Sequence, residues 1–201
     1  MKVRTTGSVW TPANIVTVVR VFLCPVWLLF AELCVPGAEG WSLSAAFVAL
    51  VYIIISLTDK LDGYLARSRG EVTTFGKFLD PIADKLAVTV ALIYLLECGI
   101  ISSWVVLVIL TREFLVSGLR MVVASKGVVV AASNLGKWKT ATTMVALCGL
   151  LVGRAMPYAL YSGSWFDMLM NALMWVAVAL TAWSGIDYFV KCWPSVMGGE
   201  R

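Results

Sequence analysis

SLTDKLDGYLARSRGEVTTFGKFLDPIADK, residues 56–85, places four aspartates within thirty residues of a chain that is otherwise mostly apolar. Two end one hydrophobic run and two begin the next. Ionisable side chains at membrane depth are costly unless paired or hydrated, so the placement asks for a chemical reason. On a helix Asp59, Asp62, Gly63 and Ala66 fall within an arc of about 100°, a single face. Gly76, Asp80 and Asp84 step by four and span roughly 80° of the following helix. The link between the runs, SRGEVTTF (68–75), is short enough to hold the two helices antiparallel and adjacent. Two pairs of carboxylates then converge just inside one membrane surface.

The surrounding composition sets the medium. Of 201 residues 60% are hydrophobic and 14% charged, with a mean hydropathy of +0.88. A soluble domain is about 25% charged, so the chain reads as an all-α integral membrane protein, one membrane domain over 1–201. Six transmembrane helices are expected at about 15–33, 41–66, 76–97, 101–124, 138–156 and 166–191, preceded by a short amphipathic segment to about 14. The first run is long enough to span and is read as a retained helix rather than a signal peptide.

Lysine and arginine alternate between the links. Lys2 and Arg4 precede the first helix; Arg67, Arg69 and Lys77 lie near the second link; Arg120, Lys126, Lys137 and Lys139 near the fourth; Lys191 and Arg201 near the C-terminus. The link after the first helix and that at 97–103 have none, and the fifth has Arg154 alone. Positive charge stays on the cytoplasmic side, so both termini and the aspartate stretch are expected there, with the chain multi-pass in a bacterial inner membrane. The net charge of +4 is concentrated on that face, where setting topology and holding anionic lipid account for much of it. No basic stripe extends into a soluble module, which argues against nucleic-acid binding.

There is no histidine, which excludes an imidazole base, a Ser-His-Asp triad and histidine-ligated metal. The five cysteines are scattered without metal-ligand spacing and read as small buried hydrophobes. Chemistry must rest on carboxylates, amines, guanidinium, hydroxyls and bound metal. Four carboxylates sharing a pocket repel one another unless cations lie between them. Oxygen-only ligands suit Mg²⁺ or Mn²⁺ better than zinc. Two such ions could hold a pyrophosphate and stabilise both attacking and leaving oxygens. Gly63 and Gly76 leave room for a base or phosphate, or for close helix packing, and Arg67 can fork onto phosphate oxygens. The structural alternative is that the aspartates pair with Lys60, Lys77 and Lys85.

Asp59-x2-Asp62-Gly63-x2-Ala66-Arg67-x8-Gly76-x3-Asp80-x3-Asp84 resembles the signature of the CDP-alcohol phosphatidyltransferases at every position. TPANIVTVVR (11–20) is similar to the family's N-terminal segment, with Ala13 between Pro12 and Asn14 where many members have Pro-Asn adjacent. TREFLVSGLR (111–120) and SNLGKWKTATTMVAL (133–147) are similar to its glycerophosphate-specific branch. The resemblance covers about residues 10–150. It implies six transmembrane helices, a homodimer and two divalent cations held by Asp59, Asp62, Asp80 and Asp84. It also implies Asp84 as base and a CDP-lipid site lined by Gly63, Ala66, Arg67 and Gly76. The implied reaction transfers a phosphatidyl group from CDP-diacylglycerol to glycerol 3-phosphate, giving phosphatidylglycerophosphate and CMP.

The acceptor has its own signal. Arg112, Arg120, Lys137 and Lys139 supply positive charge beside the aspartates, as an acceptor carrying phosphate requires; glycerol 3-phosphate and inositol phosphate both satisfy that charge, and only the resemblance selects the first. Lys137 and Lys139 sit where the N–H groups of a helix start also favour an anion. Glu113 and Arg120 lie about 20° apart on the helical wheel, so their pairing is an available structural role. A divalent-cation channel is the rival reading, and it leaves the Gly-Ala-Arg spacing and the lysines without work. A scaffold needs no clustered carboxylates.

Overall fold

The computed structural model describes residues 11–34, 40–69, 74–125 and 134–197. Within its helices, the side chains of 12–13, 59–69, 74, 77, 125, 134 and 194–197 lie outside the description. Among the described residues the chain is all-helical: α1 Pro12–Glu32, α2 Leu43–Arg69, α3 Thr74–Glu97, α4 Ser103–Ser125, α5 Asn134–Gly153, the short α6 Tyr158–Tyr161 and α7 Trp165–Met197. Six long helices stand where six were expected. The differences are at the ends. α1 starts at Pro12 because the Thr11 side chain caps it, accepting from the Asn14 N–H at 3.3 Å, with proline at a position that needs no N–H donor. α5 starts at Asn134 and α7 runs on to Met197, and the single turn of α6 falls in the link between the fifth and sixth expected helices. The expected segment 1–14 lies outside the described residues apart from its last few positions.

α1 packs against α2 and α3, α2 against α5, α5 against α7, α7 against α4, and α4 against α3. α3 also touches α5 and α2 across this ring. The centre is filled by Leu92, Leu95, Ile109, Leu147, Leu150 and Leu151, all fully buried. Among the described residues a polar bond ties α1 to α2, the Trp27 indole donating to the Val48 carbonyl at 2.9 Å. The same ring meets Tyr52 and Tyr94 with centroids 5.2 and 5.6 Å away, geometries that aromatic pairs favour. Close approach of α5 to its neighbours depends on two glycines four apart. A Cβ at Gly149 would overlap Met170, and one at Gly153 would overlap the Tyr161 ring.

The outside of the bundle is apolar, with Phe22, Phe30, Phe47, Phe114, Trp175 and Trp183 well exposed. α1 and α7 are long and apolar enough to cross a membrane by length and composition. Trp41, Trp104 and Trp165 are exposed beside the starts of α2, α4 and α7, at one end of the bundle, and Trp138 and Trp193 at the other. That is the placement of interfacial tryptophans in a bilayer-spanning bundle.

Candidate active site

α3 carries Asp80 and Asp84 one turn apart, with side chains exposed toward the end of the bundle where α2 finishes. α1 supplies partners at matching spacing. The Thr17 hydroxyl donates to Asp80 Oδ1 at 3.0 Å, and Arg20 Nη1 donates to Asp84 Oδ1 at 3.3 Å. Thr17 and Arg20 are 2% and 3% exposed, so two polar side chains of a mostly apolar helix are buried against the carboxylates. A buried guanidinium needs such a partner, and a charge-assisted bond fixes the carboxylate it meets. The Asp84 side chain itself remains 51% exposed.

On the other side of Asp84 a cavity of about 130 Å³ opens between α3, α4 and α5. Its polar lining is Asp84, Lys85, Thr89, Glu113, Lys139, Thr140 and Thr143. Lys139, 6% exposed, donates to Glu113 Oε1, and Arg112 Nη1 lies 3.3 Å from the same oxygen. Lys85 Nζ donates to Ser117 Oγ, which in turn donates to the Glu113 backbone carbonyl at 2.7 Å. Thr143 braces α5 one turn on, its hydroxyl donating to the Lys139 carbonyl at 2.9 Å. The cavity thus places two amines and one carboxylate beside Asp84. Its size suits a small anion carrying hydroxyls, well below the volumes that hold drug-sized ligands.

The predicted residues divide accordingly. Asp80, Asp84 and Lys139 come together at this end of the bundle. Gly76 is buried one turn before Asp80. Asp59, Asp62, Gly63, Ala66 and Arg67 lie on continuous α2 helix, which packs against α3, while their side chains lie outside the described residues. Arg112 turns toward α7, its Nε donating to Ser184 Oγ at 3.2 Å. Arg120 stacks over the Tyr188 ring, 5.9 Å from its centroid, and Lys137 is exposed outside the cavity lining. The wheel pairing of Glu113 with Arg120 does not form. Glu113 pairs with Arg112 and Lys139, because tertiary packing brings α5 against the face that Glu113 occupies. Lys85 meets Ser117 rather than an aspartate, contrary to the simple ion-pair reading of the motif. Sequence reading assigned no role to Thr17 or Arg20, although both stand in the N-terminal segment that carries the resemblance.

Among the described residues no three carboxylates, thiols or imidazoles cluster as a metal site, and Asp59 and Asp62 are outside that description. The donor chemistry present is all oxygen. Cys24 and Cys192 are buried in apolar clusters. Carboxylates at this end fit a hard divalent cation and no soft one.

Comparison with known proteins agrees in extent and class. Residues 10–183 match the family model for CDP-alcohol phosphatidyltransferase. Three relatives carry the name "CDP-diacylglycerol--glycerol-3-phosphate 3-phosphatidyltransferase". That of Bacillus subtilis is 42% identical, over 91% of this chain and 95% of its own length. That of Haemophilus influenzae is 34% identical over 86% and 88%, and that of Cereibacter sphaeroides 33% over 92% and 96%. With a signature complete in sequence and a match along most of its length, this chain belongs to the CDP-alcohol phosphatidyltransferase family.

Proposed function

We propose that the protein transfers the phosphatidyl group of CDP-diacylglycerol to glycerol 3-phosphate, releasing phosphatidylglycerophosphate and CMP. The observation that favours a phosphorylated acceptor is the cavity where Lys139 and Lys85 face Asp84. An acceptor with its phosphate against the amines has its hydroxyl directed at the aspartates. Lys139 already meets Glu113, and Lys85, held by the Ser117 hydroxyl, is the amine that an acceptor's phosphate would neutralise. The names of the relatives give the same substrate pair.

In this reading the acceptor hydroxyl gives its proton to Asp84, held in place by Arg20. The hydroxyl oxygen forms a bond to the lipid-linked phosphorus, and the bond from that phosphorus to the CMP oxygen breaks. Asp59, Asp62, Asp80 and Asp84 would hold two Mg²⁺ or Mn²⁺ ions, whose chemistry is to neutralise charge on the phosphates and on the leaving CMP. Gly63, Ala66, Arg67 and Gly76 would line the CDP site. Of the other basic residues, Arg112 would act through Glu113, while Arg120, over the Tyr188 ring, and Lys137, outside the cavity lining, would stand apart from an acceptor held there. The site faces the cytoplasm of a six-span protein of the inner membrane, from the lysine and arginine alternation, and a homodimer follows from the family resemblance.

The test is CMP release by purified protein in detergent with CDP-diacylglycerol, Mg²⁺ and a panel of alcohols. Turnover with glycerol 3-phosphate well above that with inositol phosphate, serine or choline is expected. Preference for a neutral alcohol would overturn the acceptor assignment.

A further inference from the structure

Arg112 lies in the wall of a mostly apolar groove between α4 and α7, together with Leu107, Leu115, Ile186 and Phe189. A guanidinium in such a place is costly unless something holds it. Its stem can approach α7 because Gly185 has no side chain: a Cβ there would stand 3.0 Å from Arg112 Cγ. Nε then donates to Ser184 Oγ at 3.2 Å, and Nη1 donates to Glu113 Oε1 at 3.3 Å. One edge of the planar group is fixed by α7 and another by the neighbouring carboxylate. Ser184 is 1% exposed, and its hydroxyl proton goes to the Thr181 carbonyl at 3.1 Å. Its lone pairs are thereby left for the guanidinium.

We infer that Ser184 is a positioning residue for acceptor binding: it seats Arg112 against Glu113, so that this carboxylate does not cancel the charge of the cavity amines. The inference rests on the acceptor proposed above.

The charges explain why that seat matters. Glu113 Oε1 is met by Lys139 from α5 and by Arg112 from its own helix. With Lys139 alone the pair would be neutral and would attract an incoming anion weakly. With Arg112 on the same oxygen, one carboxylate faces two cations, and the excess positive charge lies beside the cavity that Lys85 and Lys139 line. Arg112 is not among the residues lining that cavity, so it reaches an acceptor through Glu113. A long basic side chain in a membrane can also swing outward toward the headgroups. The bond to Ser184 holds this one on the Glu113 side. In this way α7, which carries none of the aspartate signature, contributes to the site.

The test measures KM for glycerol 3-phosphate and for CDP-diacylglycerol, by CMP release in detergent. The variants are Ser184→Ala, Arg112→Met and the two combined, with Lys85→Gln and Lys139→Gln as controls on the acceptor site. Ser184→Ala should raise the acceptor KM about three-fold, as befits one hydrogen bond between membrane helices, and leave the donor KM unchanged. Arg112→Met keeps the length of the side chain and removes its charge, and should raise the acceptor KM about ten-fold. The combined variant should match Arg112→Met alone, because the serine then has no guanidinium to seat. A merely structural tie between α4 and α7 would lower Tm without that split between substrates and without dependence on Arg112. An unchanged acceptor KM in Ser184→Ala, an equal rise for both substrates, or a further rise in the combined variant would overturn the inference. If either lysine control raises the acceptor KM while Ser184→Ala does not, the acceptor site stands and the positioning role falls. If neither control moves it, the acceptor site falls and the positioning role with it.

Discussion

The Arg20 guanidinium on α1 lies 3.3 Å from the Asp84 carboxylate on α3, across 64 residues of sequence. Arg20 is buried, and Thr17 one turn earlier holds Asp80 in the same way. The first helix is therefore a clamp on the motif of the third. Arg20→Gln should lower kcat for CMP release by roughly ten- to a hundred-fold, the loss of one charge-assisted bond of about 1.5–3 kcal/mol. Arg20→Lys should recover part of it, since charge remains while the fork is lost. A glutamine variant with wild-type kcat would remove the clamp from the mechanism.

Asp84→Asn separates proton transfer from binding. It keeps the size and one oxygen and removes the proton acceptor, so donor binding should survive better than turnover. In the wild type, exhaustive chelation by EDTA should abolish CMP release, and Mg²⁺ or Mn²⁺ should restore it. Turnover that persists after chelation counts against metal held by the aspartates.

Lys139 and Lys137 stand two residues apart and should behave differently. Lys139 lines the cavity and Lys137 is exposed outside it. Lys139→Gln should raise the acceptor KM by about ten- to a hundred-fold and leave the donor KM nearly unchanged. Lys137→Gln should change either by less than about two-fold. Equal effects of the two substitutions would place the acceptor's phosphate elsewhere.

The orientation rests on lysine and arginine counts alone. A single cysteine introduced at position 72 of an otherwise cysteine-free variant should resist a membrane-impermeant thiol reagent in intact cells and react after lysis. Labelling from outside would reverse the topology and the placement of the site with it.

Two glycine substitutions should affect Tm differently. Gly153→Ala sets a Cβ into the Tyr161 ring, which is rigid and itself packs on Phe166. Overpacking costs about 1–3 kcal/mol against a helix-propensity gain of up to about 1 kcal/mol, so Tm falls. Gly118→Ala on α4 meets nothing within 4 Å, so only the propensity gain remains and Tm rises or holds. Thermal unfolding in detergent reads both.

The sequence by itself determined the class of the protein, the six long helices and the aspartate motif. Hydrophobic run length and helical spacing are local properties, and both are written in consecutive residues. Spacing alone put Asp80 and Asp84 on one face of α3. Helix ends were less legible, because a cap such as Thr11 and a single turn such as α6 depend on a few hydrogen bonds rather than on a periodic pattern. What only the tertiary structure decided was partnership. The wheel offered Arg120 to Glu113, yet Lys139 arrives from another helix and Arg120 turns to Tyr188. Lys139 and Lys137 look alike in sequence, and a rotation of about 160° around α5 buries one in the cavity and leaves the other outside. Charges pair across helix contacts whose register is set by packing of small and large side chains, such as Gly149 against Met170, and no local pattern encodes that register.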